Sequence, residues 1–303
     1  MQKKQNTILK VHAHDSLIEF LLSKMGGMSK TSVKQLLHAR RVQVNGAVQT
    51  HPETELNNGD IVTVIPGAGN VTLHHPKLKL IYEDDDLIVV NKKQGLLTVP
   101  SVEGSQETTA YSILKAYVKR QNNRNGIYVV HRLDRETSGL LVFAKSPKLQ
   151  EYMREWWRDL VQSRTYVALA EGAFDEQEGT ITTWLTEDKR NAMVYSSPTD
   201  NGGAKSITHY HVLGTRTLAA NNTDEQTTLS LVELHLETGR TNQIRVHLAT
   251  IGHPVVGDRK YGRGNDYSPV DRLCLHAREL EFIHPVTEKR MHFETPIPKE
   301  FRI

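Results

Sequence analysis

VVHRLDRETSGLLVFAKS, residues 129–146, is the stretch that decides how the rest of the chain is read. It reads as strand, tight polar turn, strand. Tyr128-Val129-Val130 is aromatic and β-branched, and Leu140 to Ala144 is a continuous apolar run of the kind shown by a strand covered on both faces. Between them lies Arg132-Leu133-Asp134-Arg135-Glu136-Thr137-Ser138-Gly139, with charges of both signs and a glycine that tolerates positive φ. A carboxylate mounted between two buried strands, with Arg132 and Arg135 beside it, is held more rigidly than an ordinary solvated turn requires. Asp134 is therefore the candidate reactive acid.

Downstream, Pro147 opens a helix in the first-turn position that proline tolerates. Leu149, Met153, Trp156, Trp157 and Leu160 recur on one helical stripe, which reads as core. Ser163 to Ala170 is a strand that opens with Arg164 and Tyr166. His209 and His211 alternate onto one side of the strand 207–213, but no third ligand accompanies them, and residues 219–226 form a polar loop. Leu229 and Leu231 alternate, and Val232, Leu234 and Leu236 follow one residue out of phase, a slip that predicts a bulge near Val232. Glu237 to Arg240 then turns the chain into a helix from Asn242 to Ile251, capped by Thr241, with Ile244, Leu248 and Ile251 as its stripe and Arg245 in its first turn.

Upstream, residues 15–66 read as a small α/β domain. Asp15-Ser16 caps a helix with Leu17, Ile18, Leu21 and Leu22 on one stripe, and Ser29 caps a second helix from Lys30 to Arg41. Asn45-Gly46 between Val42-Gln43-Val44 and Ala47-Val48 is the strongest short hairpin signal. Lys30, Lys34 and Arg41 fall on one helix face, and with Arg40 they are the candidate phosphate contacts. Residues 67–79 read as a linker that begins in a Gly- and Ala-rich stretch, and 80–303 as the large domain.

Composition bounds the setting. The net charge is +3, and residues 1–66 carry all of the excess, with eight Lys or Arg against five acids. A basic small domain beside a neutral large one suggests a polyanion-gripping module attached to a working one. The start of the chain lacks the apolar run of a signal peptide, and no run of about 18 apolar residues occurs, so no membrane partner is expected. The single Cys274 excludes an internal disulfide and a cysteine zinc site, which fits a reducing cytoplasm.

HRLDRETSGLLVFAKS closely resembles the signature of pseudouridine synthases of the RluA/RluC/RluD type. The resemblance extends to Asn91-Lys92-Lys93-Gln94-Gly95, to Arg164-Thr165-Tyr166-Val167-Ala168, to Gly239-Arg240-Thr241-Asn242-Gln243-Ile244-Arg245-Val246-His247 and to Gly252 to Asp258. Two positions depart from the family pattern: Lys93 stands where proline is usual, and Asn242 where histidine is usual. Residues 15–66 look like an S4 domain, through the Ser29-initiated basic helix, Arg41-Val42-Gln43-Val44-Asn45-Gly46 and Gly59-Asp60-Ile61-Val62. The resemblance implies an α+β protein with a large mixed, mainly antiparallel sheet in the catalytic domain and a small S4-like domain before it. It implies isomerisation of uridine to pseudouridine in RNA without cofactor or metal, by a cytoplasmic monomer, with large-subunit (23S) ribosomal RNA as the target and transfer RNA as the alternative.

By the same resemblance Asp134, Tyr166 and Arg245 are the catalytic set. Ile244 packs under the uracil opposite Tyr166, Arg132 fills the gap left by a flipped base, and Arg164 contacts substrate. Asp134 either attacks C1′ or removes the 2′ proton, and both routes stay open. Two other classes compete. One is a non-catalytic RNA-binding protein, which loss of Asp134, Tyr166 or Arg245 would have indicated. The other is a hydrolase pairing Asp134 with Glu136.

Overall fold

The computed structural model describes residues 6–65, 71–102, 105–188, 190–219, 226–263 and 270–302. The breaker-rich stretch 66–70 and most of the polar loop 219–226 lie outside the described residues. The chain divides into two compact units: Met1–Thr72 with Glu83–Leu87 and Lys115–Gly126, and Leu73–Tyr82 with Ile88–Leu114 and Ile127–Ile303.

The first unit contains β1 (Thr7–Lys10), β2 (Asp15–Ser16), α1 (Leu17–Lys24), α2 (Lys30–His38), β3 (Val42–Val44), β4 (Ala47–Gln49), β5 (Glu55–Leu56) and β6 (Ile61–Val64). Its main sheet runs β1-β6-β3-β4, so residues ahead of Asp15 supply an edge strand. Ser16 and Ser29 cap the two helices, accepting from the amides of Glu19 and Ser32. Asn45 and Gly46 adopt φ of 50° and 83°, the double positive φ of the hairpin turn that joins β3 to β4. Leu17, Leu21, Val33, Leu37, Val42 and Val62 form the core.

Helix α2 stops at His38, three residues earlier than the pattern predicts, because Arg40 turns into the left-handed region at φ 52°. Arg41 therefore leaves the helix face, and its Nε donates to Ile65 O at 3.0 Å. Lys30 pairs with Glu19 at 2.9 Å, while Lys34 and Arg40 are exposed.

The remaining elements are β7 (Leu78–Glu83), β8 (Leu87–Lys92), α3 (Ala110–Gln121), β9 (Tyr128–Val129), β10 (Ser138–Ala144), α4 (Pro147–Glu155), α5 (Trp157–Leu160), β11 (Val161–Glu171), β12 (Glu178–Asp188), β13 (Met193–Ser197), β14 (Ala204–Ala219), β15 (Gln226–Leu236), α6 (Gln243–Thr250), β16 (Leu275–Ile283) and β17 (Arg290–Glu294). Their sheet runs β13-β12-β14-β15-β11-β16-β10-β8-β7, with β17 on β16 and β9 on β10. It is mixed and mainly antiparallel, with β10 and β16 parallel, so the fold is α+β as expected. No described helix is long and apolar enough to cross a membrane.

The organising stretch is a hairpin of unequal arms. All seven residues of β10 are buried, whereas β9 is two half-buried residues paired only to Phe143 and Ala144. The connection spans residues 130–137, a long loop rather than the tight turn the sequence suggests. Gly139 fixes where β10 enters the sheet: at φ +119° its added Cβ would lie 2.2 Å from Ala277 O, so only glycine lets β10 meet β16.

Three further expectations are corrected. The helix after Pro147 breaks at Trp156, which is 46 % exposed, so it is not part of the core. The extra residue near Val232 sits on the facing strand, between Val212 and Gly214 of β14, while β15 stays regular against β11. Helix α6 has no side-chain cap from Thr241, and its stripe holds only in part: Ile244 and Leu248 are buried as predicted, Ile251 is exposed, and Val246 and His247 are buried as well.

Candidate active site

Arg132, Asp134, Arg164, Tyr166, Ile244 and Arg245 all line one cleft of about 790 Å³ in the large unit. The six large-domain residues assigned to the catalytic and substrate-binding set thus meet around a single hollow. Glu136, the possible hydrolase partner, is not part of its wall. The basic residues Lys30, Lys34, Arg40 and Arg41 belong to the other unit.

The loop carrying Asp134 is fixed from behind by two side chains to which the sequence pattern assigns no role. Lys92, fully buried, points its Nζ at the carbonyls of Leu96, Asp134 and Arg135 at 2.9, 3.0 and 3.1 Å. Burial pulls its pKa down to about 7, against the pull of Asp134 and Glu136. Thr98 Oγ1 donates to Leu133 O at 2.8 Å and accepts from Leu133 N at 3.1 Å. Arg135 turns away to pair with Glu107 at 2.9 Å, so of the two flanking arginines only Arg132 faces the cleft. Arg132 is exposed, with no ion-pair partner among the described residues. Lys93, standing where proline is usual, donates its backbone N–H to Lys77 O at 2.9 Å, a bond proline lacks.

Arg245 enters from the first turn of α6. Its Nε and Nη2 donate to the two carboxylate oxygens of Asp258, both at 2.7 Å, and that carboxylate is fully buried. Its Nη1 donates to Asn242 Oδ1 at 3.0 Å and reaches Asp134 Oδ2 at 3.5 Å. The Asp134 contact is a long ion pair at the limit of hydrogen bonding. Asp134 keeps about a third of its side chain exposed, open to the cleft. The sequence pattern assigns Asp258 no role; its signal is its place in Gly257-Asp258, and its partner lies 13 residues upstream, across the end of α6.

Asn242 sits in the left-handed region at φ 54°, which asparagine tolerates better than most residues. Its Nδ2 donates to Tyr261 Oη at 3.1 Å, and Tyr261 lies 5.2 Å from the Arg245 guanidinium. The asparagine at the usual histidine position therefore links Arg245 to Tyr261. The start of α6 is anchored by Gln243, whose Oε1 accepts from Arg240 N at 3.1 Å and Thr238 Oγ1 at 2.9 Å, and whose Nε2 donates to Ile207 O and Thr208 Oγ1, both at 2.9 Å. His247 spans Thr208 and Thr183 at 2.9 and 3.0 Å, and burial lowers its pKa to about 4, so it is neutral at pH 7.

Tyr166 projects from β11 beside a bulge, where the register with β16 jumps between Thr165 and Tyr166. Burial pushes its phenol pKa up, which keeps it a neutral O–H. Ile244 is 4 % exposed and lines the same cleft. Arg164 is pinned by the carbonyls of Leu236 and Glu237 at 3.2 and 3.3 Å. His131 accepts from Val142 N at 3.1 Å and packs on Trp157 with ring centroids 4.8 Å apart. An acid held near a guanidinium, with an aromatic and an aliphatic side chain on the walls, suits a flat base carried on a sugar.

Comparisons with known proteins identify the family. A family model described as RNA pseudouridylate synthase matches residues 86–250. The uncharacterised RNA pseudouridine synthase YhcT of Bacillus subtilis is 34 % identical over 287 residues, covering 90 % of this chain and 87 % of that protein. The ribosomal large subunit pseudouridine synthase D of Vibrio cholerae is 33 % identical over 295 residues, covering 90 % of this chain and 84 % of that protein. The solved structure of human RNA pseudouridylate synthase domain containing 1 superposes with a TM-score of 0.57 at 27 % identity, covering 75 % of this chain and 85 % of that one. With a cleft that gathers the motif residues and relatives spanning most of its length, this chain belongs to the RNA pseudouridylate synthase family, isomerases that act on RNA.

Proposed function

We propose that this enzyme isomerises specific uridines in large-subunit ribosomal RNA, with Asp134 as the reacting acid, and that it works as a cytoplasmic monomer. The observation that carries the reading is the convergence of Asp134, Arg245, Tyr166 and Ile244 on one cleft. The similarity to ribosomal large subunit pseudouridine synthases supports the choice of RNA.

In the reaction the C1′–N1 bond breaks, the uracil turns, and C5 bonds to C1′. C5 loses its proton and N1 gains one, so mass is conserved and the chemistry calls for no cofactor. Asp134 acts at the sugar, either at C1′ or on the 2′ proton. Arg245, locked on Asp258, places positive charge beside that carboxylate and beside charge developing on the uracil. Tyr166 and Ile244 hold the two faces of the base. A base in a duplex must be flipped out first, at a cost of about a few kcal/mol, and we assign Arg132, which is exposed, to take its position in the stack.

Residues 15–66 are proposed as an S4-like RNA-binding domain, joined through 67–79 to the catalytic domain 80–303. Exposed Lys34 and Arg40 supply its phosphate contacts, with Lys30 and Arg41 partly committed to Glu19 and Ile65. Mapping pseudouridines in total RNA from cells with and without this gene tests the reading. Loss of sites confined to large-subunit ribosomal RNA supports it, and loss confined to transfer RNA overturns the target.

A further inference from the structure

Beside the main cleft lies a second hollow of about 390 Å³, within the ~300–1,000 Å³ typical of small-molecule sites. It is formed by α5, the first residues of β11, and the facing parts of β14 and β15. Trp157, Arg158, Arg164, Leu236 and Glu237 line both hollows, so the two share a wall.

That wall carries two guanidiniums, Arg158 and Arg164, against one carboxylate, Glu237, which is engaged by His209 at 2.6 Å. Neither Arg158 nor Arg164 has a carboxylate within ion-pair distance among the described residues. They are close enough that Arg158 adds to the effect of burial in lowering the Arg164 pKa. Gly239 makes room for the Arg164 guanidinium, since an added Cβ there would fall 2.5 Å from Nη1. Two neighbouring guanidiniums, neither of them in an ion pair among the described residues, form a seat for a phosphodiester.

Beyond the wall stand two imidazoles. His209 and His235 are direct cross-strand partners on β14 and β15. His209 is held at both nitrogens, by Glu237 Oε1 at 2.6 Å and Thr180 Oγ1 at 2.8 Å. His235 is held likewise, by Glu233 Oε1 at 3.1 Å and Thr165 Oγ1 at 3.3 Å. With every ring nitrogen engaged, neither histidine is free to ligate a metal. Their side chains nevertheless stay 41 % and 46 % exposed. Rings held at their edges and left partly exposed suit base stacking.

We propose that this second hollow is a nucleotide subsite: it receives the RNA residue next to the one in the main cleft, with the linking phosphate on Arg158 and Arg164 and the base against His209 and His235. The proposal deepens the RNA-isomerase reading and rests on it. It gives the enzyme a grip on the neighbour of its target.

The test compares uridine 5′-monophosphate (UMP) with the dinucleotide UpU by titration calorimetry at low salt, using the full chain. UpU is expected to bind about tenfold more tightly than UMP, as one extra stacked base gives. In the His209→Ala/His235→Ala double variant that advantage falls to about twofold or less, with UMP binding reporting that the main cleft is still folded. Arg158→Gln weakens UpU several-fold more than UMP. Equal affinity of the wild-type chain for the two probes, or an advantage that survives the double variant, overturns the subsite. Pseudouridine formation in total RNA is read in parallel: its absence with the UpU advantage intact sinks the reading of the reaction and leaves the subsite standing.

Discussion

Arg245 and Asp258 form a two-bonded ion pair, Nε to Oδ2 and Nη2 to Oδ1, both at 2.7 Å, with the carboxylate fully buried and the guanidinium 13 % exposed. Asp258 Oδ1 also accepts from the amides of Lys260 and Tyr261 at 2.8 and 3.1 Å. The arginine therefore arrives at the cleft already fixed, and Asp134 meets only Nη1, which also donates to Asn242, at 3.5 Å. The acid can move toward substrate without giving up a tight bond, while the cation stays where it is.

Asp258→Asn breaks this arrangement, because an amide NH₂ faces the guanidinium where an acceptor is needed. Removing one member of a buried pair costs about 3–5 kcal/mol. Urea denaturation is expected to show a loss of that order, and pseudouridine formation to fall further than stability alone explains. A variant with wild-type turnover would show that Arg245 does not depend on this partner.

Lys92→Met removes the support behind Asp134. Lys92 reaches four carbonyls, and while it keeps its proton these bonds are charge-assisted, worth about 1.5–3 kcal/mol each before the cost of burying the ammonium. The variant is expected to lose turnover more than RNA affinity. The wild-type pH dependence carries a matching sign. The folded pKa of about 7 lies below the ordinary 10.5, so the unfolded chain binds more protons between those values. The contribution of this group to stability is therefore full above about 10.5 and falls away as pH drops toward 7. Denaturation midpoints measured from pH 7 to 10 should rise less in Lys92→Met than in the wild-type chain.

Acid should weaken the fold through buried histidines. Burial lowers His131 to about 3 and His247 and His276 to about 4, all below the ordinary 6.5. Their contribution to stability is complete above about 6.5 and is lost as pH falls through the folded values. His247→Gln should flatten the decline between pH 6.5 and 4 in a denaturant series. An unchanged slope would mean that His247 does not report this burial.

RNA binding should weaken steeply with salt. Removing one phosphate-binding cation makes the slope of log K against log salt shallower by about 0.7–0.9. Lys34→Ala and Arg40→Ala should each reduce the slope by about that much. Lys30→Ala should do less, because Lys30 already pairs with Glu19. Filter-binding titrations between 50 and 200 mM salt (on the order of the range where such contacts show) distinguish the three.

Much of this architecture was legible in local sequence. The Asn45-Gly46 turn, the serine caps and the apolar run of β10 are short-range signals, and each encodes its own backbone. The gathering of Asp134, Tyr166 and Arg245 followed from family motifs, not from periodicity. What stayed hidden depends on partners distant in sequence. Nothing near Lys92 announces the carbonyls of Asp134 and Arg135, far along the chain, and even across the 13 residues from Arg245 to Asp258 no periodicity announces their pairing. The expected Thr241 cap was replaced by the left-handed Asn242 and the inward Gln243, because the turn is fastened to β14 and not to its own helix. Trp156 fitted the apolar stripe only while the helix was taken as unbroken.

The central claim is that Asp134 carries out the chemistry from a site whose other parts bind RNA without it. The direct measurement is tritium release from RNA labelled at C5 of uridine, for the wild-type chain and for Asp134→Asn, with RNA affinity read on the same samples. The account predicts release by the wild-type chain and none by the variant, at closely similar affinity. Release by Asp134→Asn would contradict it.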